Sequence, residues 1–251
     1  MQKKKYKALL LDLDGTTVKL QRGSLPSEKV RFAIHELSKK TPVCIVTGRP
    51  IDDTIPILHS LGLDSPCIMG NGSIVFDVKH NRVLAQHTID LARVKQIVEI
   101  CKDKTSDMYV QTIHKEIHFS EYDGKQELAA LFVTNLSEQS VNNYLEVLQE
   151  KVKNLAMHAV LKATFSGNPM IAIHDIHGTK QHALLHLIKM LHVEPEEIVA
   201  VGDAENDLPM IIAAGMGVAM GNAGEGIKSV ADWIAPSVDE DGVVAVIEKY
   251  F

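Results

Sequence analysis

The sequence predicts an α/β fold: a doubly wound, mainly parallel sheet core with an inserted α+β cap-like block. Three observations lead there. Short apolar runs alternate with amphipathic helices at both ends of the chain, the pattern of parallel strands buried on both faces. Three of those runs end directly in Asp12, Thr47-Gly48 or Gly202-Asp203, polar groups at the strand ends where open α/β sheets bind ligands. Residues 83–177 break the alternation and mix amphipathic helices with alternating strands.

The elements follow in order. Residues 6–11 are read as a buried strand, and 27–40 as a helix with Val30, Ala33, Ile34 and Leu37 on one stripe. Residues 42–46 form the next strand and run into Thr47-Gly48-Arg49. A helix over 52–61 closes at Gly62, with Pro56 working against its continuity. Residues 66–69 are a third strand and Gly70-Asn71-Gly72 a turn. Toward the end, 180–191 carries Ala183, Leu184, Leu187, Ile188 and Leu191 at helical spacing. Residues 198–201 are a buried strand, a helix starts near Asn206, and 218–220, 233–235 and 243–248 supply strand, strand and helix. Residues 1–82 and 178–251 thus make a Rossmann-like core. Within the insert, 83–177, helices are expected at 90–101 and 137–152, and strands at 113–120 and 128–133.

Composition narrows the function. A hydrophobic content of 45% and a charged content of 23% are those of a water-soluble globular protein. The net charge of −6 argues against nucleic acid or an anionic membrane as partner, although a local site can still hold an anionic metabolite. Cys44, Cys67 and Cys101 lie far apart with no metal-like spacing, which suits buried thiols in a reducing cytoplasm. Lys3, Lys4 and Lys5 precede an apolar stretch as in a signal peptide, but Asp12 and Asp14 interrupt it too early.

Four pieces carry chemistry: Asp12-Leu13-Asp14-Gly15-Thr16, Thr47-Gly48, Lys180 at a helix start, and Gly202-Asp203-Ala204-Glu205-Asn206-Asp207. Singly, each has an ordinary reading as a solvated turn or a helix cap. Together, on strand ends and in this order, they fit phosphoryl transfer. Asp12 and Asp203 are hard oxygen ligands suited to Mg²⁺, which offsets the repulsion between a carboxylate and a phosphate ester. Asp12 can attack phosphorus and form an aspartyl phosphate. Asp14, crowded by like charge, is expected to favour its protonated form and to serve as general acid and then base. Thr47 and the Gly48 amide can donate to phosphoryl oxygens, Lys180 supplies positive charge, and Asn206 an amide donor. Asp207 could hold the lysine or support the metal shell.

The segments LLLDLDGTT, VCIVTGR, GNGSIVFD, GTKQHALLHL, AVGDAENDLPMI and GVAMGNAGEGIKSVADWIAPSVDEDGV resemble the haloacid dehalogenase-like superfamily, in particular its Cof-like sugar-phosphatase branch. That resemblance implies a Mg²⁺-dependent phosphatase of a small phosphorylated metabolite. Asp12 would be nucleophile and metal ligand, Asp14 acid/base with its backbone carbonyl on the metal, and Asp203 a ligand. Leu13 (through its amide), Thr47, Gly48, Lys180 and Asn206 would hold phosphate, and the insert would be the cap. A phosphomutase of the same superfamily and a phosphate-responsive binding module are the competing readings. Thr17 departs from the family's usual apolar residue, and Ala204-Glu205 from its usual pair, with little consequence expected from either.

Several further residues are placed by pattern alone. His114, Glu116, His118 and Ser120 are expected on one face of a strand, as a wet polar surface or a substrate-facing one. His174 and His177 fall near the return from insert to core. Arg49 and Asn71 leave strand ends close to the expected pocket.

Overall fold

Ala8–Leu11 is an interior strand of a parallel sheet, and both of its edges are paired. The sheet runs Trp233–Ile234, Met216–Ala219, Ile198–Gly202, Ala8–Leu11, Val43–Ile45. The computed structural model describes residues 6–21, 23–160 and 168–251, so Lys3, Lys4 and Lys5 lie outside it. A strand covered on both faces must be apolar throughout, and Ala8–Leu11 is ALLL with every residue fully buried. Alternate side chains go to opposite sides. Leu9 and Leu11 pack with Val30, Ile34, Leu58, Val243 and Val246 from helices Glu28–Ser38, Ile51–Leu61 and Gly242–Tyr250. Ala8 and Leu10 pack with Ala183, Leu187, Met210 and Ile211 from Lys180–Leu191 and Leu208–Ala213. The sheet is therefore doubly wound, as the alternation predicts.

From Ala8–Leu11 the chain first builds Val43–Ile45 on one side and returns much later as Ile198–Gly202 on the other. The order reverses at the carboxyl end of Ala8–Leu11, and Asp12 is the next residue. A switch point of this kind leaves a crevice between the outgoing loops.

Local chemistry sets the helix limits. Ser27 accepts from the Val30 amide at the start of Glu28–Ser38, and Thr179 from the His182 amide at the start of Lys180–Leu191. Gly62 ends Ile51–Leu61 in the left-handed conformation. Pro56 stands inside that helix without ending it, since a proline there removes a single intrahelical bond.

Two expectations are corrected. Cys67–Met69 joins the parallel sheet only through a bridge between Val46 and Ile68. It belongs to an antiparallel sheet with Ile74–Asp77 and Arg82–Gln86, because Gly70, Asn71 and Gly72 all take positive φ and reverse the chain at once. Residues 113–120 are not one strand. The Thr112 hydroxyl accepts from the amides of His114 and Lys115, which bends the chain, and only Glu116–His118 is extended before a 3₁₀ turn over Phe119–Glu121. His114 and Ser120 thus leave the shared face.

The insert has a core of its own. Its antiparallel sheet runs Glu116–His118, Met108–Gln111, Ala130–Val133, Met170–Asp175, Leu155–Val160. Helices Leu91–Ile100 and Glu138–Lys151 cover one face, where Val94, Ile97, Val141 and Leu148 meet Val110, Leu131, Ile171 and Ile173. Among the described residues no helix is long and apolar enough to cross a membrane.

Candidate active site

Asp12 is held from its backbone outward. Its amide donates to the Val201 carbonyl at 3.0 Å and its carbonyl accepts from the Thr17 hydroxyl at 2.7 Å. Thr17, the residue that departs from the usual apolar type, thus satisfies a buried main-chain oxygen. The Leu13 carbonyl accepts from the Thr17 and Val18 amides, while the Leu13 side chain is buried in the core. The loop therefore closes immediately after the strand.

Lys180 is the centre of the acidic cluster. Its ammonium donates to Asp12 Oδ1 and to Asp207 Oδ1, each at 2.7 Å, with all three residues buried. A lysine in the first turn of a helix opposes the helix dipole, and the two carboxylates offset this. Asp207 Oδ2 accepts from the amides of Asp203 and Ala204, both at 3.1 Å. With both oxygens occupied, Asp207 holds the lysine and the loop.

Asp203 completes the cluster: carboxylate oxygens of Asp12, Asp203 and Asp207 lie within 4.8 Å of one another. Thr16 Oγ1 donates to Asp203 Oδ1 at 2.9 Å, and Asn222 Nδ2 reaches Asp203 Oδ2 at 3.4 Å and the Gly15 carbonyl at 2.8 Å. Gly15 has φ +81°, and a Cβ there would fall 2.2 Å from Asp203 Oδ2, so only glycine lets the two loops meet.

Asp14 points elsewhere. Arg49 Nε and Nη2 donate to its two oxygens at 2.8 and 2.5 Å. The charge nearest Asp14 is thus a cation, Arg49. Asp14's side chain also lies outside the acidic cluster, so only its main-chain carbonyl is a candidate ligand.

The remaining donors line the opposite loop. Thr47 donates its amide to Ile68 and accepts from the Asn71 amide at its carbonyl; its hydroxyl accepts from the Arg49 amide at 3.1 Å. Asn206 Nδ2 donates to Asn71 Oδ1 at 3.0 Å, which joins the Gly202–Asp207 loop to the turn that faces Gly48. At Gly72, φ is +112° and a Cβ would stand 2.1 Å from the Thr179 carbonyl carbon; this close approach seats the turn against the start of the lysine helix.

Electrostatics follow from one ammonium serving three carboxylates. Burial pushes Asp12 well above its ordinary carboxyl value; the Asp207 charge adds to the effect, and Lys180 opposes it through its charge and its hydrogen bond. Burial, with Asp207, pushes Asp203 up to about 7. Burial alone would lower the Lys180 ammonium, but Asp12 and Asp207 outweigh it and hold it above its usual value. Surplus negative charge among hard oxygen donors is the environment that a small divalent cation stabilises. The clustered carboxylates of Asp12, Asp203 and Asp207 are such donors, and their chemistry fits a hard divalent cation such as Mg²⁺.

Arg49 and Asn71, placed only near the pocket by sequence, are inside the network. Thr16 and Asn222 stand in motifs whose order signals them, but no residue pattern assigns them a partner. Gln111, from the insert, donates from Nε2 to the Gly48 carbonyl at 3.0 Å, and nothing in its sequence surroundings announces this. His177 lies at the insert-to-core return beside His87 and His182.

The family model of haloacid dehalogenase-like hydrolases matches residues 9–247. The chain belongs to that family, and its resemblance to the Cof-like branch holds. It is an enzyme, a phosphoric monoester hydrolase. A 5-amino-6-(5-phospho-D-ribitylamino)uracil phosphatase of Bacillus subtilis is 31% identical, over 97% of this chain and 95% of its own length. A pyridoxal phosphate phosphatase of Escherichia coli is 27% identical, over 97% and 98%. Among solved structures, a haloacid dehalogenase-like hydrolase from Bacteroides thetaiotaomicron superposes with a TM-score of 0.81 at 22% identity, covering 98% of this chain and 100% of its own.

Proposed function

We propose that this chain is a Mg²⁺-dependent phosphatase of a small phosphorylated metabolite in the cytoplasm, working through an aspartyl-phosphate intermediate. The observation that carries this reading is the buried Lys180 shared between Asp12 and Asp207, with Asp203 beside them. Three buried free cysteines suit a reducing compartment.

Asp12, Asp203 and the Asp14 carbonyl would hold the metal, which when bound offsets the charge of carboxylates and phosphate and polarises the phosphoryl oxygens. Lys180 fixes Asp12 Oδ1, so the carboxylate meets phosphorus in one orientation. An Asp12 oxygen bonds to phosphorus as the bond from phosphorus to the ester oxygen breaks, and Asp14 gives that oxygen a proton. Asp14 then takes a proton from water as the water oxygen attacks the aspartyl phosphate, releasing inorganic phosphate and free Asp12. Arg49, whose planar fork suits phosphate as well as carboxylate, exchanges Asp14 for the incoming ester and frees the acid. The Leu13 and Gly48 amides, Thr47 and Asn206 complete the phosphate shell. Residues 1–82 and 178–251 act as the catalytic core and 83–177 as a cap that closes on the ester; the strand Arg82–Gln86, paired with Ile74–Asp77, carries the chain across that boundary.

Rapid mixing with p-nitrophenyl phosphate tests the two carboxylate roles, since this leaving group needs little acid help. Asp14→Asn should give a burst of nitrophenol followed by a slow steady rate, and Asp12→Asn neither. A stoichiometric burst from Asp12→Asn, or near-normal turnover by Asp14→Asn, overturns the assignment.

A further inference from the structure

Four histidines gather where the chain passes between core and insert. His87 directly follows Arg82–Gln86 on the outward crossing, and His177 stands on the return, one residue before Gly178. His182 and His186 belong to the helix Lys180–Leu191. Residues four apart share a helix face, so these two side chains are neighbours on successive turns. They lie about 200° and 240° around the helix from Lys180, on the side away from the acidic cluster.

The backbone holds the four together. The His87 amide donates to the Ser73 carbonyl at 2.8 Å, and the His177 amide to Asp175 Oδ1 at 2.9 Å. A Cβ on Gly178 would stand 3.1 Å from the His87 carbonyl oxygen, so the two crossings run side by side. Ring centroids are 6.3 Å apart for His186 and His87, 5.8 Å for His87 and His177, and 5.1 Å for His177 and His182. The helix joins the two ends of this series, since His182 and His186 are neighbours on it. The charges of Asp175 and of the other three histidines all act on His87.

Imidazoles that share one ion at Zn–N distances of about 2.0–2.1 Å have centroids roughly 5 Å apart. His177 and His182 already stand so. The ring nitrogens do not converge as the core carboxylates do, but the widest pair differs from that spacing by only about 1 Å, which side-chain rotation covers without moving the backbone. His177 and His186 are exposed, and His87 and His182 half-buried, so the rings have room to turn. Among the described residues the rings of His87, His177 and His186 have no hydrogen-bond partner. Thr179 Oγ1 lies 3.0 Å from His182 Nδ1 and, as acceptor, leaves that ring's lone pair on Nε2. Burial holds the His87 pKa below its usual value, which keeps that ring in the neutral form a metal requires.

We propose that His87, His177, His182 and His186 form a binding site for a divalent transition-metal cation, Zn²⁺ or a like ion that prefers nitrogen ligands, and that this ion ties both crossings of the insert to the helix bearing Lys180. Hard Mg²⁺ prefers oxygen ligands such as the carboxylates around Asp12, while imidazole suits Zn²⁺, so the two sites take different metals. With ligands on three separate segments, the ion resists any movement of the insert that parts the crossings from the helix. The site uses none of the phosphate-handling residues, so it can fail while the phosphatase reading stands.

Equilibrium dialysis of the untagged chain against Zn²⁺, with Mg²⁺ in excess, tests the site. The histidine equivalent should bind with a Kd of about 10 µM or tighter, and should survive Asp203→Asn, which removes a core carboxylate. His87→Gln, His177→Gln and His186→Gln should each weaken it on the order of tenfold or more, and the triple variant should lose it. His182 is left in place because it adjoins the Thr179 cap. Co²⁺ in the site should give the visible absorption of a four-coordinate ion, absent from the triple variant. A weaker Kd, an affinity unmoved by the histidine substitutions, or an equivalent lost in Asp203→Asn instead overturns the proposal. So does weakening confined to His186→Gln, since the helix would then hold the ion without either crossing.

Discussion

Lys180 and His174 are both buried titratable side chains, yet their surroundings treat them in opposite ways. Lys180 has a carboxylate on each side at 2.7 Å and keeps its charge against burial. His174 has no carboxylate beside it and gives up its charge to burial, which outweighs the main-chain group of Ala129. The core site is a closed electrostatic network in which charge is balanced by charge within a few ångströms. The surroundings of His174 are instead made of rings, those of Phe132 and His158. Phosphoryl chemistry needs the first kind of site, fixed before the ester arrives.

The sharpest way to break this comparison is to remove the core's single ammonium. Lys180→Ala should lower kcat on the order of a hundredfold or more, the scale of one charged transition-state contact. It should also lower stability by about 3–5 kcal/mol, because Asp12 and Asp207 are left buried without a cation. Lys189→Ala, on the same helix at an exposed position, should change neither rate nor melting temperature. Equal losses at the two positions would mean that the helix, not the charge, matters.

His174 gives the next largest effect, in stability against pH. Its pKa is about 4 in the folded chain and about 6.5 when unfolded, so the unfolded chain binds the proton more readily. The stability it leaves intact is fully present above about pH 6.5 and is lost as pH falls toward 4, by up to about 3 kcal/mol. Denaturant titrations at pH 7 and pH 4.5 should show this loss, and His174→Phe should remove most of it. An unchanged pH dependence in the variant would mean that the ring is not buried as described.

Metal binding probes the core again, with a smaller step. Asp203 sits at about 7, and a ligand must be deprotonated. Mg²⁺ affinity should level off above that pH and fall below it, by about fivefold between pH 7 and pH 6 and by about tenfold per unit at lower pH. Calorimetry in two buffers of different ionisation enthalpy reads the affinity and the released proton together. Affinity independent of pH would take Asp203 out of the ligand set.

The smallest effect is at Thr17. Thr17→Val keeps the shape and deletes the hydrogen bond to the Asp12 carbonyl, so it should cost about 1 kcal/mol. Chemical denaturation measures it; no change would return Thr17 to the minor departure that its sequence suggests.

Much of the core was legible before any coordinates. Ala8–Leu11 and Ile198–Gly202 announce themselves by apolar runs that stop at Asp12 and Asp203, and Lys180–Leu191 by its apolar residues at helical spacing. Residues 113–120 misled because alternation alone cannot see a hydroxyl bending the chain at Thr112. The pairing of Asp14 with Arg49 was not legible, because Arg49 arrives from another strand end.

The sequence by itself determined the strand ends, the acidic and basic residues upon them and the order in which they come, since periodicity and spacing act over a few residues. Tertiary structure alone decided the partners. Lys180 meets Asp12 across 168 positions, Asn206 meets Asn71 across 135, and Gln111 reaches Gly48 across 63. Contacts at such separations are set by how layers stack and how the insert folds back over the core. No local pattern encodes that geometry, because each partner's neighbours along the chain are satisfied without it.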